Sequence, residues 1–233
     1  MRLHILVEGP SEEAFLRQWL PRFLKSDHSF KIIVHRGKGK LPVDPNQPMK
    51  PLQQGLLDQL PAKLRAYGHS LDSSTDRVLV LVDQDDSDGG DCRKFKARLV
   101  KLLRQIVPSP ECLFRIAVEE TEAFFLGDRQ ALKEAFKPKL QLLDDYEQDS
   151  ICGTWELFQR VIKATSEDKP AWAEKMGRVM TTEYEGKHAN QSPSFQHFCR
   201  GLLFLAGEIQ DRAPQKRRVS RPRKKAAARS KSR

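Results

Sequence analysis

Closely spaced cysteines and long apolar runs are both missing from this sequence, and each absence excludes a class of protein. The four cysteines lie far apart and form no Cys-x-x-Cys pair, so we expect neither a zinc site nor a secreted disulfide framework. No run of about 18 apolar residues occurs, which argues against a membrane span. The first strand meets the acidic Glu8 before a signal-peptide core could form. We therefore expect a cytoplasmic protein that does not enter a membrane.

Nucleotide-binding and calcium-binding motifs are missing as well. No Gly-x-x-x-x-Gly-Lys-Ser/Thr loop is present, so the chain is not expected to hydrolyse nucleotides by that route. The acidic stretch 83–88 is similar to an EF-hand loop, but Asp88 stands where the loop needs glycine, and Lys94 stands where it needs glutamate. The six histidines show no spacing typical of metal ligands. A calcium loop and a histidine-based metal site are therefore not expected.

The net charge of +10 comes from one end of the chain. Residues 212–233 hold 11 Lys or Arg and no acid. Removing those 11 from the 41 Lys and Arg of the chain leaves 30, against 31 Asp and Glu, so the rest is close to neutral. A segment this basic and poor in apolar residues is expected to be disordered, which gives a basic tail at 211–233. Two readings stay open for the tail: it binds a polyanion by releasing counterions, or it only improves solubility.

Apolar runs alternate with helical periodicity over the first half of the chain. This order predicts an α/β fold in which a mostly parallel sheet is flanked by helices. Ser11 and Ser194 are the predicted N-caps of the first and last helices. Domain boundaries are predicted at about 128 and 210, between an N-terminal α/β domain (1–128), a helical C-terminal extension (129–210) and the tail. The predicted strands are 3–7, 30–35, 77–82 and 113–118; the predicted helices start at 11, cover 52–67 and 92–106, and then 129–136, 154–164, 171–180 and 194–209, with a long loop at 36–51.

The most informative pattern is that apolar strands end on acids. The run 78–82 stops at Asp83 and Asp85, which period two places on the same side, and the run 3–7 stops at Glu8. The cluster 119–122 follows the fourth strand. Because the carboxyl ends of parallel strands meet at one edge of a sheet, these acids are expected to converge there. Anions so close repel one another, and a bound Mg²⁺ or Mn²⁺ is the simplest way to hold them together.

Several motifs are similar to a known superfamily. A strand ending in Val-Glu-Gly (7–9), a helix after it and a later strand ending in Asp-x-Asp (83–85) resemble the Toprim fold of topoisomerases, primases and several nucleases. The fuller set of motifs, at 7–16, 81–85, 119–128, 169–173 and 192–195, resembles the Toprim-like domain-of-unknown-function 4276 family. That resemblance covers nearly everything up to about residue 205.

The resemblance implies a role for each acid. Glu8 would handle protons or bind the metal, while Asp83 and Asp85 would bind it. Glu12, one helical turn after Glu8, and Glu122, with Glu119 as the reserve, match the further acids of a two-metal cluster. Lys169 matches the basic residue placed near developing charge. Each acid also has a structural alternative: Glu12 could complement a helix dipole, and the acids of 119–122 could be a solvated strand end.

The implied function is a Toprim-type, Mg²⁺-dependent nuclease that hydrolyses phosphodiester bonds in RNA or DNA. The basic loop 36–51, the basic face of helix 92–106 and the tail would then contact phosphates. Nucleases of this kind often act beside an ATPase in defence against phage, which implies an ATPase partner. One alternative is a noncatalytic subunit that binds nucleic acid or regulates a partner. A less favoured alternative is a haloacid-dehalogenase-type phosphatase, which also has an apolar strand ending in Asp-x-Asp.

Overall fold

Four parallel strands form the centre of the fold in a computed structural model, which describes residues 1–47, 52–84, 91–150, 153–164 and 167–210. Their spatial order is β2-β1-β3-β4, and every neighbouring pair is parallel. The predicted α/β class and parallel sheet are confirmed. The strands are β1 (Arg2–Val7), β2 (Ser29–Val34), β3 (Asp76–Gln84) and β4 (Cys112–Val118).

Helices connect the strands and then continue to the end of the described chain. Among the described helices none is long and apolar enough to cross a membrane. The second helix begins four residues later than predicted, because Gly55 is extended and serves as its N-cap. The helices are α1 (Pro10–Phe23), α2 (Leu56–Ser70), α3 (Cys92–Arg104), α4 (Glu122–Leu126), α5 (Arg129–Ala135), α6 (Thr154–Ile162), α7 (Lys169–Val179) and α8 (Pro193–Leu205), with a short 3₁₀ helix at Leu140–Leu143.

The central strand β3 is buried on both faces of the sheet. Leu79 and Leu81 belong to the apolar cluster on one face, which also contains α1 and the C-terminal helices. Val78, Val80 and Val82 belong to the cluster on the other face, under α2 and α3. This two-sided burial is the reason that the strand reads as an uninterrupted apolar run. Asp83 continues the series of Leu79 and Leu81, so it lies on the α1 side.

The helices after residue 128 share their core with the sheet and α1. The Trp19 ring of α1 lies 5.2 Å from the Phe195 ring of α8, centroid to centroid. Gly177 allows α7 to approach α1 closely, because a Cβ there would lie 2.4 Å from the Phe15 carbonyl oxygen. The domain boundaries at 128 and 210 stay predictions, and the predicted disorder of 211–233 lies outside the described residues.

Both predicted N-caps are wrong by two residues. Pro10 occupies the first turn of α1, where a missing N–H costs nothing, so the cap falls on Gly9 and Ser11 lies inside the helix. Pro193 shifts the start of α8 in the same way. Its cap is Ser192, whose Oγ accepts a hydrogen bond from the Phe195 N–H at 3.2 Å. Ser194 is turned instead toward Asp149, to which its N–H donates.

Candidate functional site

Glu8 and Asp83 lie side by side at the carboxyl edge of the sheet. Glu8 follows the last residue of β1, Asp83 is the last but one residue of β3, and the two strands are neighbours. The Asp83 backbone N–H donates a hydrogen bond to Glu8 Oε1 at 2.8 Å. The structure therefore brings together the two acids whose convergence the strand pattern predicted.

Glu12 joins this pair through the hydroxyl of Thr121. Glu12 lies in the first turn of α1, is only 7% exposed, and accepts a hydrogen bond from the Gly9 N–H at 2.9 Å. Thr121 Oγ1, just before α4, lies 3.3 Å from Glu12 Oε1 and 3.1 Å from Asp83 Oδ1. The hydroxyl has one hydrogen and can donate to one acid at a time. Thr121 thus links α1, β3 and the segment after β4, a role that nothing in its sequence context indicated.

Lys169 places a positive charge beside the acids. It begins α7, and its Nζ lies 3.7 Å from Glu120 Oε1 and 4.0 Å from Glu122 Oε1. The same Nζ lies 3.8 Å from the centroid of the Trp155 ring. A cation over an indole face is attracted by the ring, so Trp155 helps to hold Lys169 in place. Glu120 and Trp155 were not predicted as site residues. The acidic run 119–122 was the available signal for Glu120, but it did not show which acids point inward.

Glu119, the reserve acid, points away from the other acids. Its φ is +65°, a left-handed conformation that turns the chain sharply after β4. Its carboxylate accepts hydrogen bonds from the N–H groups of Gly153 at 2.8 Å and Thr154 at 3.0 Å, at the start of α6. Glu119 therefore caps a helix, while Glu122, which is 6% exposed, turns inward together with Glu120.

Burial and mutual repulsion raise the pKa values of the inward acids. Desolvation raises the pKa of Asp83 well above its ordinary value, and the charges of Glu8, Glu12, Glu122 and Glu120 raise it further. Burial also raises the pKa of Glu12, although its hydrogen bonds and Lys169 oppose that change. Burial raises the pKa of Glu122 to about 7, with Lys169 again acting in the opposite direction. Desolvation is likewise the main reason that the pKa of Glu120 is raised.

The donor chemistry of these residues fits a hard divalent cation. All the inward groups are carboxylates, which Mg²⁺ and Mn²⁺ prefer, and Glu120 Oε2 is buried without a hydrogen-bond partner. However, across the described ranges no three His, Cys, Asp or Glu side chains are grouped as metal ligands. Asp85, the fifth predicted ligand, lies outside the described residues. The carboxylates that a Mg²⁺ or Mn²⁺ site needs are therefore present, but among the described residues no three of them are grouped as ligands.

Comparison with known proteins assigns the chain to a family. The sequence profile of the family described as domain of unknown function (DUF4276) matches residues 7–203. No curated protein and no solved structure matches the chain. The matched segment contains Glu8, Glu12, Asp83, the acids after β4 and Lys169.

Proposed function

The chain belongs to the domain-of-unknown-function 4276 family, and we propose that it is a metal-dependent nuclease of the Toprim type, which hydrolyses phosphodiester bonds in RNA or DNA. One observation carries the proposal. Carboxylates from the ends of β1 and β3, from α1 and from α4 converge beside Lys169 at the carboxyl edge of a parallel sheet. Ligands of open α/β sheets bind at this edge.

A Mg²⁺ or Mn²⁺ cofactor would be held by Glu8, Glu12, Asp83, Asp85 and Glu122. When bound, it supplies stabilisation of the charge on the attacking and leaving oxygens of a phosphodiester. Burial raises the pKa values of Asp83 and Glu122, and repulsion from the neighbouring acids raises them further. A bound cation would oppose both effects because it favours the charged carboxylates, which supports this part of the proposal.

The other groups of the site have roles that follow from their contacts. The Asp83 N–H orients the Glu8 carboxylate, which is half-buried and can accept a proton from an attacking water. Thr121 orients Glu12 and Asp83 by its hydroxyl. Lys169, held over Trp155, offers a positive charge to a phosphoryl oxygen as negative charge develops on it.

The proposal is tested by cleavage of labelled RNA and DNA in Mg²⁺, in Mn²⁺ and in chelator. We expect Asp83→Asn, which keeps the size of the side chain, to lower the cleavage rate by at least about 10³-fold. Asp27→Asn is the matched control, because the Asp27 side chain is 74% exposed. Products that form equally well in chelator, or with Asp83→Asn, would contradict metal-dependent hydrolysis at this site.

A second candidate function is favoured by one observation. Because no three described acids are grouped as metal ligands, the fold could serve a noncatalytic subunit that binds nucleic acid. The same experiment separates the two functions. Binding that survives chelator and Asp83→Asn, with no cleavage under any condition, would favour the noncatalytic subunit.

The proposal extends to an ATPase partner, which rests on the Toprim resemblance. Efficient cleavage by the purified chain alone, without ATP, would show that no such partner is required.

A further inference from the structure

A basic loop is fastened directly beside Glu8. Residues 36–40 read Arg-Gly-Lys-Gly-Lys and follow β2, the strand next to β1. The Gly37 N–H donates to the Glu8 carbonyl oxygen at 2.8 Å. Two residues earlier, the His35 N–H donates to the Val7 carbonyl oxygen at 3.1 Å, and His35 Nδ1 lies 2.8 Å from the same oxygen. Three cations are therefore placed at the edge of the sheet where the acids converge.

The start of α2 holds the other side of this loop. The N–H groups of Leu56 and Leu57 donate to the carbonyl oxygens of Gly37 and Lys38 at 2.8 and 2.7 Å. Gly39 has a φ of +68°, and a Cβ on Gly55 would lie 2.4 Å from the Gly39 backbone. Since the loop backbone is bonded on both sides, the positions from which its cations extend are held in place, which lowers the backbone entropy lost when they bind a ligand.

Lys38 meets a second cation over one aromatic ring. Lys38 Nζ and the Arg98 guanidinium carbon of α3 each lie 5.2 Å from the centroid of the Phe95 ring, which is fully buried. The ring attracts each of the two cations, which helps to hold each of them at that distance. On the far side of the acids, Lys169 lies over Trp155 in a similar arrangement. Cations supported by aromatic rings thus flank the acids on the α2–α3 side and on the α6–α7 side.

We infer that a nucleic-acid strand crosses the carboxyl edge of the sheet with its phosphates bound by Arg36, Lys38 and Arg98 before it reaches the acids. The choice of nucleic acid rests on the proposed function, but binding by the loop does not require cleavage. The acids themselves repel a polyanion, so the affinity must come from cations beside them. Arginine and lysine are the side chains that most often contact backbone phosphates.

The experiment measures binding of labelled single-stranded DNA and RNA to the full chain in chelator over a series of salt concentrations. The test variant is the double substitution Arg36→Ala and Lys38→Ala. The matched control is Lys133→Ala with Lys137→Ala, which removes the same charge from exposed positions in and just after α5, outside the loop, α3 and the tail. The basic tail is present in the unsubstituted chain and in every variant, so differences in binding report on the substituted residues and not on the tail.

We expect the test variant to bind at least five-fold more weakly, and the slope of log affinity against log salt to fall in magnitude by about 1.4. The control should stay within two-fold of the unsubstituted chain. Exchanging the two residues, Arg36→Lys with Lys38→Arg, should restore binding, because it keeps both charges. Equal losses in the test and control variants, no loss in the test variant, or no binding by the unsubstituted chain would overturn the inference.

The two proposals can fail separately. Loop-dependent binding without cleavage would leave the inference standing and contradict the nuclease. Cleavage that Asp83→Asn abolishes, together with binding that does not depend on the loop, would support the nuclease and contradict the inference. A preference between the DNA and RNA arms would identify the polymer.

Discussion

Asp76 and Asp83 lie on the same strand, and their surroundings are opposite in charge. Asp76 begins β3, where Arg2 Nη2 donates to its Oδ2 at 2.8 Å and His4 Nε2 lies 3.0 Å from its Oδ1. The Arg2 hydrogen bond, with help from His4, holds the pKa of Asp76 well below its ordinary value. Asp83 lies near the other end of β3, where desolvation and four glutamates raise its pKa.

The difference indicates that the two edges of the sheet have different roles. At the amino edge the buried acid is neutralised by groups of the chain, which is how a charge is buried for stability. At the carboxyl edge, by contrast, several buried acids lie close together, with Lys169 contacting Glu120 and Glu122, an arrangement that costs stability and is common at functional sites. The cost at one edge is thus offset by well-paired groups elsewhere, including those at the other edge.

The largest effect is expected from Asp76→Asn. Asp76 is 2% exposed, and the substitution weakens the contacts of Arg2, His4 and the Asp72 N–H, which lies 3.1 Å from Oδ2. We expect the free energy of unfolding to fall by about 2 kcal/mol, since buried donors lose a charged partner. Urea denaturation at pH 7 measures it, with Asp27→Asn as the exposed control. A loss no larger than that of the control would contradict the view that Asp76 stabilises the amino edge.

Low pH should remove most of the difference in free energy of unfolding between the unsubstituted chain and Asp76→Asn. An aspartate in the unfolded chain has a pKa of about 3.9, and the pKa of Asp76 in the folded chain is lower. The unfolded state therefore takes up a proton first, so the contribution of Asp76 is present above pH 5 and is lost as the pH falls toward about 2. The stability gap between the unsubstituted chain and Asp76→Asn should shrink over this range. A gap that is constant with pH would show that charge is not its origin.

Mg²⁺ should have the next largest effect on the free energy of unfolding, through the acids at the carboxyl edge of the sheet. If the proposed site binds Mg²⁺ with a dissociation constant of about 1 mM, 10 mM Mg²⁺ should raise the free energy of unfolding by about 1.4 kcal/mol. Asp83→Asn should lose this response because it removes a ligand. Thermal or urea unfolding with and without Mg²⁺, at matched ionic strength, measures the effect. The same response from both proteins would place the metal elsewhere.

The smallest effect is expected from Asp83→Asn in chelator, and its sign is opposite to that of Asp76→Asn. Asparagine removes the cost of burying a charge and the repulsion from Glu8, Glu12 and the acids after β4, so the free energy of unfolding should rise by about 1 kcal/mol. Urea denaturation of the two aspartate variants under one set of conditions makes the comparison direct. A decrease would mean that the hydrogen bond from Thr121 outweighs the repulsion.

Much of this edge could be predicted from the order of residues. Two apolar strands that end on acids are local patterns, and parallel pairing brings such strand ends to one edge of a sheet. That β1 and β3 are neighbours, which places Glu8 beside Asp83, is a feature of the strand order. The choice among consecutive acids could not be predicted in this way. It depends on the backbone turn at Glu119, which sends that side chain to α6 and turns Glu122 inward. Asp85 stays a prediction, because it lies outside the described residues.

The N-caps of the helices could not be predicted from residue type alone either. Serines at 11 and 194 are favourable N-caps by residue type, but Pro10 and Pro193 set the first turns and place the caps at Gly9 and Ser192. Cap preference is a weak signal beside the fixed φ of proline.

The sequence by itself determined the α/β class, the parallel sheet and the edge at which Glu8 and Asp83 meet, because strand periodicity and the alternation of strands with helices are properties of neighbouring residues. Only the tertiary structure decided that Thr121 joins those acids, that Trp155 supports Lys169 and that the loop 36–40 is bonded beside Glu8. These contacts join residues far apart in the chain, and they depend on how α1, α6 and α7 pack on one another and on the sheet, which no local pattern specifies.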